Sequence, residues 1–482
     1  CSRSRRAADS ANVRGRMLDN FAPRPTAATI PISALTKKAY RAWRKKQSKA
    51  TVAWLDATGF SPSSGKVALV PARSGGIGRV VLGLGDAPNL WSFAGLAGGL
   101  PTKGRFTYDK LEPQYANDAA LGWAMSTYQF ARYKKAPKKF ATLVWPDGAD
   151  VARVRRLAEG IALGRDLINT PAQDLGPAEL AAAVKELGAR HKAKVAIIKG
   201  DALLKQNYPA IHAVGRAADK APHLADLRWG NPNHPKVTLV GKGVTFDSGG
   251  LDLKSAAGMK LMKKDMGGAA TVLALAHAIM DGELSVRLRV LIPTVENAVS
   301  GNAYRPGDVL QTRKGLTVEV GNTDAEGRLI LSDALCEADS EDPDVLIDFA
   351  TLTGAARIAL GTELPALFCD DDALAGDLLA AGISEDDALW RMPLHRDYNR
   401  HLDSKIADVN NIASVGQGGA ITAALFLQRF VSPKRTWVHV DTMGWNTGNR
   451  AGRPAGGEVF GVRAAYSALE QRYPPPAPPA ED

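Results

Sequence analysis

The sequence predicts an α/β protein of two domains, a smaller amino-terminal α/β domain and a larger carboxy-terminal α/β domain with a mostly parallel central sheet. Its 482 residues are enough for two or three domains. Hydrophobic residues make up 45% of the chain and charged residues 23%, which is typical of an ordinary globular protein. Short apolar runs alternate with helical patterns, and this alternation favours a parallel sheet with helices on both faces.

Changes in composition suggest the domain boundaries. We expect a disordered basic tail at 1–25, the amino-terminal domain at 26–148, a connecting helix at 149–171, the carboxy-terminal domain at 172–472 and a proline-rich tail at 473–482. The connecting helix should end at Pro171, because proline cannot continue a helix. Residues 1–16 are rich in Arg, Ser and Ala and have no core-forming pattern, so Met17 is a plausible native start.

The amino-terminal domain is predicted from four short apolar runs and one amphipathic segment. The strands are expected at Thr51–Leu55, Lys66–Val70, Arg79–Leu84 and Phe140–Trp145, and the helix at Ala119–Tyr133. No cluster of acids, bases or nucleophiles stands out in this part of the sequence. The glycines Gly83 and Gly85 lack the strand and helix context of a nucleotide-binding G-x-G-x-x-G fingerprint, so we do not predict one.

The alternation continues after the connecting helix. Helices are predicted at Pro177–Ala189, Gly267–Met280, Ser332–Asp339 and Ala420–Phe430, and strands at Lys194–Ile198, Lys236–Gly241, Val286–Pro293 and Asp344–Phe349. In parallel sheets, functional groups gather at the carboxyl ends of the strands. The strand at 236–241 leads directly into a glycine-rich stretch with charged residues, so we expect chemistry there.

The net charge of +11 comes entirely from the first 50 residues, which hold thirteen Lys or Arg against two Asp. Such a segment is usually a solvated tail, but it can also bind nucleic acid or an anionic surface. Cys1, Cys336 and Cys369 are odd in number and far apart, which favours a reducing compartment and argues against disulfides or a thiolate metal site. No secretory signal and no run of 18 apolar residues occurs, so we expect a cytoplasmic protein without a membrane partner.

Asp324 and Glu326 form an acidic pair that allows two interpretations. On an extended segment their side chains would point to the same side. The first interpretation is a solvated acidic turn before a helix capped by Ser332. The second is half of a metal site, in which a cation offsets the repulsion of the two carboxylates, Gly327 frees the backbone and Arg328 adds a permanent positive charge.

Two upstream acids and two lysines favour the second interpretation. Asp247 and Asp265 lie in glycine-rich surroundings, together with Lys242 and Lys254. Alone, Asp265 would be a helix N-cap and the lysines would be surface residues. Together with the acidic pair, the two Asp residues make four carboxylates with few histidines, a set that suits two divalent ions such as Mn²⁺, Mg²⁺ or Zn²⁺ with a water as nucleophile. The chain lacks H-E-x-x-H, G-x-S-x-G and G-x4-G-K-[ST], which argues against a helix-borne zinc protease, a serine hydrolase and a P-loop.

Three motifs carry a resemblance to a known family. They are Asn322-Thr-Asp-Ala-Glu-Gly-Arg-Leu329, Gly241-Lys-Gly-Val-Thr-Phe-Asp-Ser-Gly-Gly250 and Lys263-x-Asp-Met-Gly-Gly-Ala-Ala270. They resemble the leucyl aminopeptidase (cytosol aminopeptidase) family of dinuclear metallopeptidases. Shorter matches follow at Arg165–Pro171, Asp348–Gly354, Ala407–Asn410, Ala420–Ala424 and Trp437–Asp441. The resemblance implies a metal-dependent aminopeptidase that releases amino-terminal residues from peptides, with Leu and Met preferred over a broad range.

The resemblance also implies the metal ligands. Asp247 and Glu326 would bridge two divalent ions, Mn²⁺ or Zn²⁺. Lys242 and Asp265 would complete the more loosely held ion, and Asp324 would complete the tighter one. An amine ligand requires Lys242 to be neutral, so two nearby dications would have to lower its pKa sharply.

The remaining roles concern the substrate. Lys254 would polarise the scissile carbonyl and stabilise the oxyanion, and Arg328 would hold a bicarbonate-like anion that accepts a proton. Asp265 would bind the free α-amine of the peptide. The other residues expected to contact substrate are Met262, Asn322, Thr351 and Gly354.

Two residues depart from the family pattern, and two further roles stay open. Ser255 stands where the family usually has proline, and Met443 replaces a usually small residue near the pocket, so the substrate preference could be shifted. The family is typically hexameric, which implies a homohexamer here. The alternatives are a dinuclear hydrolase of other esters or phosphates and an additional DNA-binding role of the basic arm, which deletion of residues 1–50 should abolish.

Overall fold

The computed structural model describes residues 17–134 and 138–476 and has the predicted α/β class. The chain forms two compact units. One contains the described residues up to Ala162 together with Gly448–Ala455, and the other contains Leu163–Thr447 and the described residues from Gly456 onward. The division falls inside the helix expected as a connector, and a short late segment belongs to the first unit.

The first unit contains one sheet. Its strands are β1 (Phe21–Ala22), β2 (Ile30–Thr36), β3 (Val67–Pro71), β4 (Ile77–Gly85), β5 (Arg105–Tyr108) and β6 (Thr142–Val144). They are ordered β1-β6-β5-β2-β4-β3, and within this sheet the edge pair β3 and β4 is antiparallel whereas the other pairs are parallel.

Five helices of this unit are α1 (Lys37–Arg44), α2 (Lys49–Ala57), α3 (Leu90–Ala94), α4 (Leu96–Gly99) and α5 (Ala116–Thr127), with a 3-10 turn at Pro113–Tyr115. The fully buried side chains Phe93, Phe106 and Trp123 belong to one hydrophobic cluster between these helices and the sheet. This cluster is the hydrophobic core of the unit, formed by apolar residues of its strands and helices.

The prediction of a strand at Thr51–Leu55 is wrong, because these residues form most of α2. Ser48 caps the helix by accepting a hydrogen bond from the Thr51 amide at 3.1 Å. Leu55 is fully buried while Trp54 is 42% exposed, so the segment has one buried helical face. A short apolar run has no periodicity that separates strand from helix, and the capping serine was the missing signal.

The predicted disordered tail does not extend to residue 25. Met17 is 2% exposed, and its carbonyl accepts a hydrogen bond from the Thr127 hydroxyl at 3.1 Å. The Trp123 indole donates to the Asn20 carbonyl, and β1 pairs with β6. These contacts fix the segment on the sheet. The expected disorder at 1–16 and most of the proline-rich tail, at 477–482, lie outside the described residues.

The connecting helix is α6 (Val151–Asn169), and it ends two residues before Pro171. The second unit continues with the strands β7 (Lys194–Lys199), β8 (His223–Trp229), β9 (Lys236–Gly241), β10 (Gly243–Asp247), β11 (Arg287–Asn297), β12 (Val309–Gln311), β13 (Thr317–Glu319), β14 (Val345–Ala350), β15 (Ala366–Cys369), β16 (Trp390–Arg391), β17 (Val409–Asn410), β18 (Trp437–Asp441), β19 (Trp445–Asn446) and β20 (Gly456–Gly457).

The helices of the second unit surround its main sheet. They are α7 (Pro177–Arg190), α8 (Ala202–Lys205), α9 (Pro209–Gly215), α10 (Ala256–Met259), α11 (Gly267–Asp281), α12 (Glu326–Asp339), α13 (Gly354–Leu360), α14 (Asp372–Ser384), α15 (Gly419–Gln428) and α16 (Val462–Arg472), with 3-10 turns at Met262–Lys264 and Arg396–Leu402. Among the described residues, no helix is long and apolar enough to cross a membrane.

Nine strands form the main sheet, in the order β16-β15-β18-β14-β9-β11-β8-β7 with β10 paired to β11. The four central strands β18, β14, β9 and β11 are mutually parallel, whereas β7, β8 and β15 make antiparallel pairs towards the edges. The central strands have buried residues on both faces, as a sheet covered by two helical layers requires. The carboxyl ends of β9 and β14 therefore meet at one edge, where Lys242 and Thr351 follow them.

Candidate active site

The residues predicted for chemistry come from separate segments that converge at the carboxyl edge of the main sheet. Lys242 directly follows β9, and Asp247 ends β10. Asp265 follows the 3-10 turn at Met262–Lys264, and Glu326 is the first residue of α12. One ligand oxygen from each of Asp247, Asp265 and Glu326 lies within 4.8 Å of the other two. The structure thus brings together the acids that the sequence placed on separate segments.

Two lysines lie between these carboxylates. Lys242 Nζ is 2.8 Å from Asp265 Oδ2 and 2.9 Å from Glu326 Oε1, and it donates a 3.0 Å hydrogen bond to the Thr351 carbonyl. Lys254 Nζ is 2.9 Å from Asp247 Oδ2 and also pairs with Asp324 Oδ1. Each lysine therefore joins two of the four acids that the sequence singled out.

Several carboxylate oxygens of this cluster have unused hydrogen-bonding capacity. Asp265 Oδ2, Asp324 Oδ1 and Glu326 Oε1 are buried and contact a lysine ammonium without a well-aligned hydrogen bond, and Glu326 Oε2 has neither a hydrogen bond nor an ion pair within the described residues. Buried polar atoms without such partners are uncommon in folded proteins. Four carboxylates also face two ammonium groups, so the cluster carries an excess of negative charge. Oxygen donors arranged in this way fit divalent cations.

The electrostatics of the cluster follow from burial and from its close charges. Burial, and then the charge of Asp247, raises the pKa of Glu326 well above its usual value. The same two causes raise the pKa of Asp324 to about 6. Burial acts in the same direction on Asp265, but the charges of Lys242, Lys264 and Lys254 together outweigh it, and the pKa of Asp265 is lowered. Negative charge is thus least compensated at Glu326.

Burial and the neighbouring acids act in opposite directions on the two lysines. Burial would lower the pKa values of Lys242 and Lys254, but the carboxylates around them outweigh it and raise both. In this structure both lysines therefore act as cations that hold the acids together.

Two local interpretations that the sequence allowed are not seen in the structure. Asp265 does not cap a helix, because α11 is preceded by Met266 and the Asp265 side chain points instead to Lys242 and Thr351. The acidic pair is not on an extended segment, since α12 already begins at Glu326 and Ser332 lies within it. The helix starts earlier than predicted, and its first turn carries the acid into the site.

Gly327 is needed for space, and its backbone φ is not positive. It lies in the first turn of α12, and a Cβ built on it would be 2.6 Å from Lys242 Nζ and 2.7 Å from Lys242 Cδ. Atoms that close overlap, so any side chain at this position would displace the lysine. Glycine is therefore required at position 327 because the Lys242 side chain passes close to it, and not because it frees the backbone, as the sequence suggested.

Arg328 lies in the first turn of α12, two residues after Glu326. It is 8% exposed, and its Nη1 donates a 2.7 Å hydrogen bond to the Asn411 carbonyl, whereas its buried Nε has no hydrogen-bond partner. Burial lowers its pKa to about 10, against the opposing charges of Glu326 and Asp441. A buried guanidinium with unused donor capacity could hold a small anion.

A cavity of about 430 Å³ opens over the cluster. Its lining includes Met262, Thr351 and Gly354, which the sequence assigned to the substrate pocket, and also Lys254 and Asp265. The departures from the family pattern, Ser255 and Met443, lie in its wall too, together with Lys264, Arg357 and Thr442.

Asn322 does not line the cavity and has a different part in the site. Its side-chain oxygen accepts a 2.7 Å hydrogen bond from the Asp324 amide, and its carbonyl accepts one from Asn411 at 2.8 Å. Asn322 therefore shapes the turn that carries Asp324.

Sequence reasoning missed three residues that orient the acids. Asn297 Nδ2 donates to Asp247 Oδ1 at 2.8 Å and to the Thr323 carbonyl at 3.1 Å, and the Tyr304 hydroxyl donates to the same carbonyl at 2.6 Å. Asp252 accepts a 2.7 Å hydrogen bond from the Thr323 amide. The position of Asn297, as a polar residue at the carboxyl end of a central strand, was the one available signal.

The chain matches two family models. A model described as the catalytic domain of the cytosol aminopeptidase family matches residues 162–466, and a model described as the M17 aminopeptidase N-terminal domain matches residues 30–146. Two similar curated proteins are named probable cytosol aminopeptidase. The one from Rhizobium meliloti (strain 1021) is 39% identical over 426 residues, covering 82% of this chain and 85% of the relative. The one from Rhizobium johnstonii is 40% identical over 425 residues, with the same shares of each chain covered.

Two solved structures are similar over nearly the whole chain. The cytosol aminopeptidase from Coxiella burnetii has a TM-score of 0.91 and 48% identity, covering 94% of this chain and 100% of that one. The bottromycin maturation enzyme BotP in complex with Mn has a TM-score of 0.83 and 33% identity, covering 93% and 100%. With its motifs, its fold and both of its domains matched, this chain belongs to the cytosol aminopeptidase family.

Proposed function

We propose that this protein is a metal-dependent aminopeptidase that releases amino-terminal residues from peptides, with Leu and Met preferred over a broad range. The observation that carries the proposal is the convergence of Asp247, Asp265 and Glu326 beneath an open cavity, with buried oxygens that lack aligned hydrogen bonds. Family membership supports an aminopeptidase, which is a hydrolase, and the manganese complex of BotP supports a divalent ion.

The same residues would hold two divalent ions, Mn²⁺ or Zn²⁺. Asp247 and Glu326 would be shared by both ions, Lys242 and Asp265 would complete the looser one, and Asp324 the tighter one. Such ions supply Lewis acidity to the scissile carbonyl and lower the pKa of water. Lys242 can act as a ligand only if it loses its proton, so loading the site would reverse the direction of its pKa.

The other residues would bind and orient the peptide. Asp265 would hold the free α-amine, which restricts removal to the first residue. Lys254, now paired with two acids, would turn towards the carbonyl oxygen of the substrate. Arg328 would hold a bicarbonate-like anion that accepts a proton. Met262, Thr351 and Gly354 would contact the first side chain, and Asn322 would contribute by holding the turn of Asp324.

Hydrolysis of leucine p-nitroanilide with added Mn²⁺ or Zn²⁺ tests this function, and N-acetyl-leucine p-nitroanilide is the matched substrate control. We expect rapid release from the free amine, little from the acetylated compound, and loss of activity with a chelator. Equal rates on both substrates would contradict the exopeptidase assignment and favour the alternative, a dinuclear hydrolase of other esters or phosphates.

Variants test the site itself. Asp324→Ala and Glu326→Ala should each lower bound metal and activity together, whereas Asp201→Ala, at a side chain that is 89% exposed, should change neither. Full activity and full metal content in either site variant would refute the ligand assignment.

A DNA-binding role is the second candidate function. The observation that favours it is an open groove in the first unit whose lining includes Arg41, Arg44, Lys45 and Lys49. Deletion of residues 1–50 is not a usable test, because it removes β2, a central strand of the sheet. Replacing these four cations by glutamine should instead lower salt-sensitive DNA binding and leave peptidase activity intact. If this variant binds DNA as the wild-type protein does, the groove is not the DNA-binding site.

Two further properties are proposed on the resemblance alone. We expect a homohexamer, which light scattering of the purified protein would test, and a monomeric mass would contradict it. We also expect a cytoplasmic enzyme, which cell fractionation would test.

A further inference from the structure

Two cations in the cavity wall are neither proposed metal ligands nor proposed catalytic groups. Lys264 is the last residue of the 3-10 turn at Met262–Lys264 and is only 7% exposed. Arg357 lies on α13, a helix that supplies none of the proposed metal ligands. Both line the same cavity as the acids.

Lys264 differs from Lys242 and Lys254 because it has no ion-pair partner. Among the described residues, no carboxylate oxygen lies within 4 Å of its ammonium group, and Asp265 beside it is paired with Lys242. Its neighbour Lys263 donates instead to the Asn169 carbonyl at 2.7 Å and lies 5.5 Å from the centre of the Trp445 ring. Burying a charge without a partner is costly, so a ligand that supplies the opposite charge would be favoured there.

The two carboxylates that act most strongly on Lys264 both have other partners, since Asp265 is paired with Lys242 and Asp441 accepts hydrogen bonds from the Leu352 amide and the Thr353 hydroxyl. The carboxylates in the cavity wall are Asp247, Asp265 and Asp324, and these are the groups assigned to the metal ions. Arg357 also has no carboxylate partner within 4 Å among the described residues. Thr442 adds a buried hydroxyl that has no hydrogen-bond partner. With the acids engaged by ions, the rest of the wall is positively charged.

We infer that Lys264 and Arg357 form a subsite for a carboxylate of the substrate. The inference rests on the proposed peptidase function and refines its substrate class. Lys264 adjoins Asp265, the residue proposed to hold the α-amine, so the subsite lies close to the first residue of a bound peptide. The carboxylate can come from an acidic first side chain or from the α-carboxyl group of a dipeptide.

Apolar side chains remain acceptable in this pocket. Met262 and Met443 line the same cavity and offer contacts to Leu or Met. The subsite therefore extends the range of substrates towards acidic ones, and a comparison with neutral isosteres isolates its effect.

Two substrate pairs distinguish the sources of the carboxylate. The first pair is the p-nitroanilides of glutamate and glutamine, which have no terminal carboxylate and differ in side-chain charge. The second pair is Leu-Gly and leucyl-glycinamide, which differ only in the terminal carboxylate. The ratio of kcat/KM within each pair is measured for the metal-loaded wild-type enzyme, for Lys264→Met and for the matched control Lys263→Met.

We expect Lys264→Met to lower at least one ratio by about tenfold or more, since a hydrogen bond to a charged group is lost. Lys263→Met should leave both ratios unchanged, because Lys263 is not among the residues that line the cavity and its ammonium donates to the Asn169 carbonyl. A fall in the first ratio alone identifies an acidic first residue, and a fall in the second alone identifies the dipeptide carboxylate. Arg357→Met, at an exposed residue whose loss should not affect folding, provides a second test of the same kind.

Ratios within about twofold of wild type in both the Lys264 and Arg357 variants would overturn the subsite. This failure is distinguishable from failure of the proposed function. If the wild-type enzyme releases leucine from its p-nitroanilide while the ratios stay constant, the peptidase stands and the subsite falls. If the wild-type enzyme releases no residue from any free-amine substrate, both are refuted.

Discussion

Replacement of Gly327 by alanine should inactivate the enzyme without unfolding it. The new methyl group would lie 2.6 Å from Lys242 Nζ and 2.7 Å from Lys242 Cδ. Ordinary contacts between such atoms are about 3.5–4.0 Å, so the end of the lysine must retreat by about 1 Å. Its ammonium group is now 2.8 Å from Asp265 and 2.9 Å from Glu326, and it cannot keep both distances after that movement.

The expected magnitudes separate activity from stability. A displacement of about 1 Å at a catalytic centre can lower the rate about 100-fold, so kcat/KM for leucine p-nitroanilide should fall by that order. The global fold should tolerate the change, because the group that gives way is the flexible end of a side chain. Alanine is also favoured over glycine within a helix by about 0.5–1 kcal/mol, which offsets part of the strain.

The assay combines kcat/KM, metal content and thermal unfolding of the same preparations. Gly376→Ala is the matched control, because Gly376 also lies within a helix, α14, and a Cβ at this position would have nothing within 4 Å. It should be as active as wild type and slightly more stable. Gly268→Ala is the comparison for a substitution that should lower stability, since its Cβ would lie 2.7 Å from the Phe349 carbonyl carbon and force backbone movement. A Gly327→Ala enzyme with normal metal content and kcat/KM within about threefold of wild type would refute the reasoning.

Three further predictions follow from single contacts. Asn297→Leu removes the donor to Asp247 and should weaken metal binding about 10- to 100-fold in a chelator competition, as for other residues that orient ligands. Arg165→Met leaves Glu458 buried without its 2.8 Å partner and should lower the free energy of unfolding by about 3–5 kcal/mol in urea. Burial raises the pKa of Asp333 to about 7, above about 3.9 in the unfolded chain, so its contribution to stability is complete below about pH 4 and is lost as the pH rises through about 7, by about 4 kcal/mol.

Each of these predictions has a comparison that could contradict it. Asn302→Leu should leave metal affinity unchanged, because Asn302 is exposed and its side-chain amide donates to the Arg216 carbonyl and not to an acid of the site. Arg44→Met breaks an exposed ion pair with Asp56 and should cost less than about 1 kcal/mol, so an equal cost for Arg165→Met would contradict the burial argument. Asp333→Asn should flatten the pH dependence of unfolding between about pH 4 and 7, and an unchanged slope would assign it to other groups.

Two elements beside the site, β9 and α11, were predictable because their apolar patterns are regular. The strand predicted at 236–241 is β9 with the same bounds, and α11 extends one residue beyond its predicted range. The strand predicted at Thr51–Leu55 failed for the opposite reason, since five residues hold too little periodicity. The antiparallel pairs of β7, β8 and β15 were also unpredictable, because partner direction depends on distant segments.

The candidate residues were predictable, whereas the groups that orient them were not. Asp247, Asp265 and Glu326 became candidates because they occur together with Asp324 and two lysines, in motifs that resemble those of a known family. Asn297 and Tyr304 look like any polar or aromatic residue in a sequence, and their role appears only when the 2.8 Å and 2.6 Å hydrogen bonds are seen. A contact between residues 50 positions apart leaves no local trace in one chain.

Lys242 shows why the site depends on its neighbours in space. Its side chain reaches Asp265 and Glu326 because a glycine, Gly327, leaves room for it at the start of α12. Next to it, a Cβ on Gly241 would already lie 2.6 Å from Ala269 Cα, so strand β9 and helix α11 are also brought together by the absence of a side chain. Gly241 and Gly327 therefore act by close packing, whereas Gly249 and Gly250 of the same motifs also adopt a positive φ. Lys242 owes its position to residues that contribute no chemistry of their own.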